Sequence, residues 1–162
     1  MEKQVIIING TGGSGKDTFV EFCSEFANVT NISSVDKVKE AAKILVGWNG
    51  EKDEKSRKLL VDLKQLSIEY NDFPSKYIKQ KYDEFINSDS NYLFIHIREI
   101  DEIEKIKKML GAKTLLVRNP RVALITSNNS DGNVYNYNYD FVIENDGTLE
   151  DLKQKAEAFV HK

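Results

Sequence analysis

Short apolar runs recur along the chain, separated by stretches whose apolar residues fall three and four positions apart. Val5-Ile6-Ile7-Ile8 is wholly apolar and gives way to Asn9-Gly10. Such a run predicts a strand covered on both faces, as in a parallel sheet. From Lys16 onward, Phe19, Val20, Phe22, Cys23 and Phe26 keep helical spacing. Residues 28–33 predict a short second strand. Residues 35–46 predict a helix with Val35, Val38, Ala42 and Leu45 on one side, ended by Gly47 and Asn49-Gly50. Over 55–71 a stripe of Leu59, Leu60, Leu63, Leu66 and Tyr70 predicts an amphipathic helix. Pro74 belongs in the first turn of another helix that reaches about Asn87.

The second half repeats the theme. YLFIHI at 92–97 predicts a third strand, and Ile100, Ile103, Ile106 and Leu110 mark a helix after it. KTLLV at 113–117 and YDFVI at 139–143 predict the fourth and fifth strands. Leu149, Leu152, Ala156, Phe159 and Val160 close the chain as a helix. Strands alternating with helices predict an α/β domain with a parallel sheet covered on both faces. The helical stretch 35–88 is too long for one crossover and reads as an insertion at the carboxyl edge of the sheet. Residues 126–138 are rich in asparagine and tyrosine and have no period.

Composition narrows the function classes. A length of 162 residues fits a single domain over 1–162, with 30% charged and 40% hydrophobic residues. A net charge of −3 offers no basic field for nucleic acid or an anionic membrane. No stretch approaches membrane-spanning length, and the N-terminal apolar run is too short for a signal core. Cys23 is the only cysteine and has no partner for an internal disulfide, which fits a reducing, cytoplasmic setting.

Four of the nine glycines fall within Gly10–Gly15, in NGTGGSGKDT. The stretch stands between a strand and a helix, at the sheet edge where α/β proteins bind ligands. Gly10-(x4)-Gly15-Lys16 is the frame of a phosphate-binding loop, whose amides turn toward phosphate oxygens while a helix N-terminus and a lysine add positive charge. Gly10-x-Gly12-x-x-Gly15 also fits a dinucleotide fingerprint, with Asp36 placed for a ribose in an NAD(P)-dependent oxidoreductase; that reading leaves Lys16 and Thr18 without a role. A glycine-rich turn with no ligand is the third reading, and it costs backbone entropy at every glycine.

The spelling Gly10-x-x-Gly13-x-Gly15-Lys16-x-Thr18 resembles nucleoside monophosphate kinases, and SGKDT resembles the phage-type deoxynucleoside monophosphate kinases more narrowly. SSVDKVKE at 33–40 and FIHIREIDEIEKIKKMLGAKTLLVRN at 94–119 are similar to that group. YDFVIENDGTLEDL at 139–152 is similar to it and to dephospho-coenzyme A kinases. The resemblance implies a three-layer α/β/α P-loop nucleoside triphosphate hydrolase fold, with a five-stranded parallel sheet and the helical insertion 35–88 binding the acceptor. It implies ATP and Mg²⁺ as donor and cofactor and a phosphorylated small molecule as acceptor. Dephospho-coenzyme A or another phosphorylated metabolite, and a nucleotide-binding module without turnover, stay open as alternatives. A monomer or homodimer is expected, with no nucleic-acid or membrane partner.

The resemblance also implies roles. Gly10, Thr11, Gly12, Gly13, Ser14, Gly15, Lys16, Asp17 and Thr18 cradle the nucleotide phosphates, and Asn145 and Gly147 pass its adenine. The position after Lys16 commonly holds Ser or Thr for Mg²⁺; here it is Asp17, so Thr18 meets phosphate or metal. His96 stands where the related kinases carry a metal-organising aspartate, and it reads as a packed strand-end residue. Asp36 is then the candidate to orient the metal or the acceptor, or simply an acidic residue at a helix start. Arg98, Arg118 and Arg121 are candidates for neutralising the transferring group. Arg57 reads as a solvated charge, with an acceptor phosphate as the lesser reading, and Trp48 as a packing residue or else a cover for a base. Residues 119–138 read as a lid-like segment. Asp146 or Thr148 is expected to cap the last helix.

Overall fold

The computed structural model describes residues 2–122 and 133–161. Strand β1 (Gln4–Asn9) is central, with β3 (Tyr92–His96) on one side and β4 (Lys113–Arg118) on the other. Beyond them lie β2 (Val29–Ser33) and β5 (Phe141–Glu144), giving a fully parallel sheet in the order β2-β3-β1-β4-β5. Ile7 pairs with Ile95 and Ile8 with His96 on one flank, and Ile8 pairs with Leu115 on the other.

The apolar run in β1 is explained by its two covered faces. Ile6 and Ile8 join Phe94, Leu115 and Val117 under α1 (Lys16–Ser24) and α6 (Leu149–Val160). Phe159 meets Phe19 edge-on at 5.7 Å there, a geometry aromatic pairs favour. Ile7 faces the opposite layer with Leu93, Ile95 and Ile97, under α4 (Phe73–Ile86) and α5 (Ile100–Leu110). Successive strand residues point to opposite faces, so a doubly covered strand has no polar positions to spare. Cys23 belongs to the first layer, where burial pushes its thiol up to about 12.

The expected elements are all present, with ends shifted by a residue or two. The fifth strand starts at Phe141 rather than Tyr139. Thr148, not Asp146, caps α6 in a reciprocal capping box with Asp151. Pro74 sits in the first turn of α4.

The main difference concerns α2 (Asp36–Val46) and α3 (Glu54–Asn71). Their stripes are amphipathic but only partly buried. Leu45, Leu66 and Tyr70 are 66%, 60% and 88% exposed, and the buried residues of α3 are Ser56 and Lys64. Periodicity reports that a helix has two faces, not that a sheet covers one of them. No helix among the described residues is long and apolar enough to cross a membrane. Half of the expected lid-like segment, residues 123–132, lies outside the described residues.

Candidate active site

The glycine stretch leaves the carboxyl end of β1 and turns into α1. Gly13 and Gly15 have φ of +80° and +96°, in the left-handed region that side chains disfavour. Gly15 also caps α1 without a side-chain hydrogen bond, so the first amides of the helix have no capping side chain. A Cβ on Gly10 would lie 2.5 Å from Ser14 Oγ and 2.7 Å from the Val117 carbonyl oxygen. The loop is therefore wound so tightly that only glycine fits where it leaves the strand.

Polar side chains hold this winding. Asn9 Oδ1 accepts from the Gly10 N–H at 2.8 Å, while Asn9 Nδ2 donates to Tyr139 Oη at 3.0 Å and the Arg98 carbonyl at 3.3 Å. Tyr139 in turn donates to the Val134 carbonyl at 2.6 Å. Asn145 Nδ2 donates to the Ser14 carbonyl at 3.0 Å and packs where a Gly15 side chain would be. Asn9 escaped the sequence reading, although a buried amide ending an apolar run was the available signal.

Thr11 Oγ1 and Ser14 Oγ are buried and have no hydrogen-bond partner among the described residues. Buried hydroxyls normally find partners. A chain of phosphate oxygens seated on the loop fits this arrangement: close amides, no Cβ in the way, and two hydroxyls to satisfy. Lys16 and Thr18 stand in the first turn of α1. Among the described residues no group of three or more His, Cys, Asp and Glu is gathered around a metal position.

A cleft of about 570 Å³ opens beside the loop. Its floor includes Ile8, Asn9, His96 and Ile97, and Lys16, Asp17 and Arg98 mark the loop side. The far side comes from α2, α3 and the turn between them, with Lys39, Lys43, Trp48, Lys52 and Arg57. The volume suits a small ligand. Arg57 and Trp48, expected as a solvated charge and a packing residue, both line this cleft. The Trp48 indole N–H donates to the Glu51 carbonyl at 3.0 Å, within the turn.

Lys64 fastens α3 to the rest. It is 7% exposed, and its ammonium lies 2.8 Å from Glu102 and 2.9 Å from Glu99, at the start of α5. It also donates to Ser34 Oγ at 3.3 Å. Burial works against its charge, but the two carboxylates outweigh that and raise its pKa.

His96 ends β3 on the cleft floor, with Nε2 2.7 Å from Asn31 Oδ1 and Nδ1 3.9 Å from Asp17 Oδ1. Burial, then the nearby Lys16 charge, lowers its pKa to about 4, so the ring is neutral near pH 7. Asp36 lies at the start of α2, where its Oδ2 accepts from the Ser33 N–H at 2.9 Å and the Tyr77 hydroxyl at 2.8 Å. It is not among the side chains lining the cleft. Arg118 and Arg121 are on the β4–β5 side of the loop. Arg118 pairs with Glu144 and stands over the Tyr135 ring, and Arg121 donates to the Gly147 carbonyl at 3.2 Å. Of the sequence candidates, the fold thus gathers Lys16, Asp17 and Arg98 at the cleft, and Arg121, Asn145 and Gly147 behind the loop.

The strand order bears on the dinucleotide reading. In that architecture the second strand lies beside the first and presents the ribose acid next to the glycine loop. Here β3 intervenes, and the carboxylate of Asp36 is engaged elsewhere.

No family model matches the chain, and no curated protein matches it. Solved structures do. The tunicamycin resistance protein of Deinococcus radiodurans is 13% identical over 98% of this chain and 96% of its own, with a TM-score of 0.57. A sugar kinase from Janibacter sp. HTCC2649 is 12% identical over 98% and 95%, with a TM-score of 0.53. Shikimate kinase from Aquifex aeolicus is 13% identical over 98% and 96%, with a TM-score of 0.52. At such identities the likeness is one of fold. The chain has the three-layer α/β/α architecture of P-loop kinases.

Proposed function

We propose that this chain is an ATP- and Mg²⁺-dependent phosphotransferase whose acceptor is a nucleoside or deoxynucleoside monophosphate. The observation that carries the reading is the junction of two sites: a glycine loop wound for phosphate and, sharing Lys16 and Asp17, a cleft with cations on its far side. Lys39, Lys43, Lys52 and Arg57 outnumber the one carboxylate on that side, Glu51, and a phosphate monoester answers the surplus charge. A cleft of about 570 Å³ also has room for a base, and Trp48 offers it an aromatic face.

Each residue then has a task. The amides from Gly10 to Gly15 and the start of α1 hold the phosphate chain, and Lys16 neutralises charge that builds on the transferring group. Thr11, Ser14 and Thr18 offer hydroxyls to phosphate, with Thr18 also within the reach of a metal that travels with it. Bound Mg²⁺ would supply charge neutralisation across the phosphates. Arg98 serves the transferring group from the cleft, and Arg118 and Arg121 from behind the loop. Asn145 and Gly147 border the adenine. Asp36 fixes the acceptor segment by tying Ser33 to Tyr77 of α4. The helical stretch 35–88 acts as the acceptor-binding insertion.

A phosphotransfer screen tests the proposal, with ATP offered to nucleoside monophosphates, dephospho-coenzyme A and a no-acceptor control. Trp48 is the only tryptophan, so acceptor binding is expected to change the protein's intrinsic fluorescence. Transfer to a monophosphate with that optical change supports the reading. Transfer to dephospho-coenzyme A alone reassigns the acceptor. ATP binding with no transfer above the control favours a nucleotide-binding module.

A further inference from the structure

Phosphate loops of this frame place a Ser or Thr hydroxyl on the metal ion directly after the lysine. This chain has Asp17 in that place, while the end of the neighbouring strand β3 carries His96 instead of an acid. The cleft has three carboxylates in its lining: Asp17, Glu51 and Glu99. Glu99 is ion-paired with Lys64 at 2.9 Å. Glu51 lies in the α2–α3 turn, where it accepts from Asn49 at 3.3 Å. Only Asp17 stands beside the phosphate loop. It leans over the cleft floor with Oδ1 3.9 Å from His96 Nδ1, and its side chain is 80% exposed. Asp36, the other acidic residue of this region, has Oδ2 occupied by Ser33 and Tyr77 and is outside the lining.

We infer that Asp17 is the residue that organises the metal accompanying the nucleotide, so that the carboxylate this chemistry uses has moved from the end of β3 to the start of α1. The inference rests on the phosphate-loop reading above. A carboxylate at this position differs from a hydroxyl in one measurable respect. With no metal present it repels the anionic phosphates, and with metal present it attracts the ion that neutralises them. Nucleotide affinity therefore depends more steeply on a divalent cation than a serine or threonine would make it. His96, its ring held to β2 through Asn31, lies 3.9 Å from that carboxylate.

The test is equilibrium binding of ATP by calorimetry, with excess Mg²⁺ and with chelator, for the unaltered protein, Asp17→Asn, Asp17→Ser and Asp36→Asn. Binding of Mn²⁺ to each protein with ATP, read by electron paramagnetic resonance, gives a second measurement free of turnover. The ratio of the two ATP affinities is expected to fall about tenfold or more in Asp17→Asn, the usual scale for losing one oxygen partner around a metal. Part of that fall comes from tighter metal-free binding. Asp17→Ser recovers some Mn²⁺ affinity through its hydroxyl but none of the metal-free repulsion. Asp36→Asn leaves the ratio where it was. An unchanged ratio in both Asp17 variants, or a collapse in Asp36→Asn instead, overturns the inference and leaves the phosphate loop standing. Failure of the unaltered protein to bind ATP under either condition overturns both.

Discussion

The two sides of the loop are built in different ways. Behind it, toward β4 and β5, main-chain groups dominate: the side chains of Asn145 and Arg121 hold the Ser14 and Gly147 carbonyls, and a glycine cap leaves the first amides of α1 without a capping side chain. In front of it, in the cleft, charged and aromatic side chains from α2, α3 and their connecting turn do the work. Main-chain recognition is rigid and tolerates almost no added atom. Side-chain recognition can be retuned one residue at a time. A donor common to many reactions suits the first, and an acceptor that defines one reaction suits the second.

Five substitutions break or sharpen this contrast. Lys16 belongs to both sides, and Lys16→Ala is expected to lower kcat/KM for transfer by roughly a thousandfold, with weaker ATP binding by calorimetry. His96 lies on the floor between them. Its folded pKa of about 4 is below the ordinary 6.5, so between these values the unfolded chain takes up a proton that the folded chain refuses. Stability is then full above pH 6.5 and falls as pH drops toward 4, by up to about 3 kcal/mol in this group's share. Denaturant unfolding of His96→Asn against the unaltered protein should show a flatter profile in that window only.

The main-chain side is tested at the glycines. Gly10→Ala meets Ser14 and the Val117 carbonyl, and it should cost about 2 kcal/mol of stability together with ATP binding. Gly12, with nothing within 4 Å of the added carbon, should accept alanine with little loss by the same denaturation assay. The side-chain side is tested at Arg57. Arg57→Ala is expected to raise KM for the acceptor by about tenfold and to leave KM for ATP unchanged. An equal rise in both would erase the distinction between the two sides.

How much of this could be read beforehand follows from where each contact comes from. The glycine loop is local: its spacing, its strand before and its helix after are contiguous, so the fold and the winding of the loop were legible together. The cleft is assembled from residues far apart. Arg57 sits among charges in EKDEKSRK and is exposed, as expected; that it also lines the cleft follows only from where the fold places α3. Lys64 looks like an ordinary polar position in an amphipathic helix, and its burial makes sense only with Glu99 and Glu102, 35 and 38 residues away. Lys39 and Lys43 did carry a signal, being one helical turn apart on α2. Asp36 and Asp17 could not be ranked from spacing alone, because the hydrogen bonds of Asp36 to Ser33 and Tyr77 are tertiary facts.

The helix α3 forms one bank of the cleft yet keeps a serine and a lysine, not leucines, at its most sheltered positions. A bank moored by an ion pair can swing out by hydrating charge, uncovering less oil-like surface than a leucine-packed helix would. Such a movement would register less in heat capacity than in its answer to dissolved salt, so ionic strength becomes a handle on how open the cleft stands.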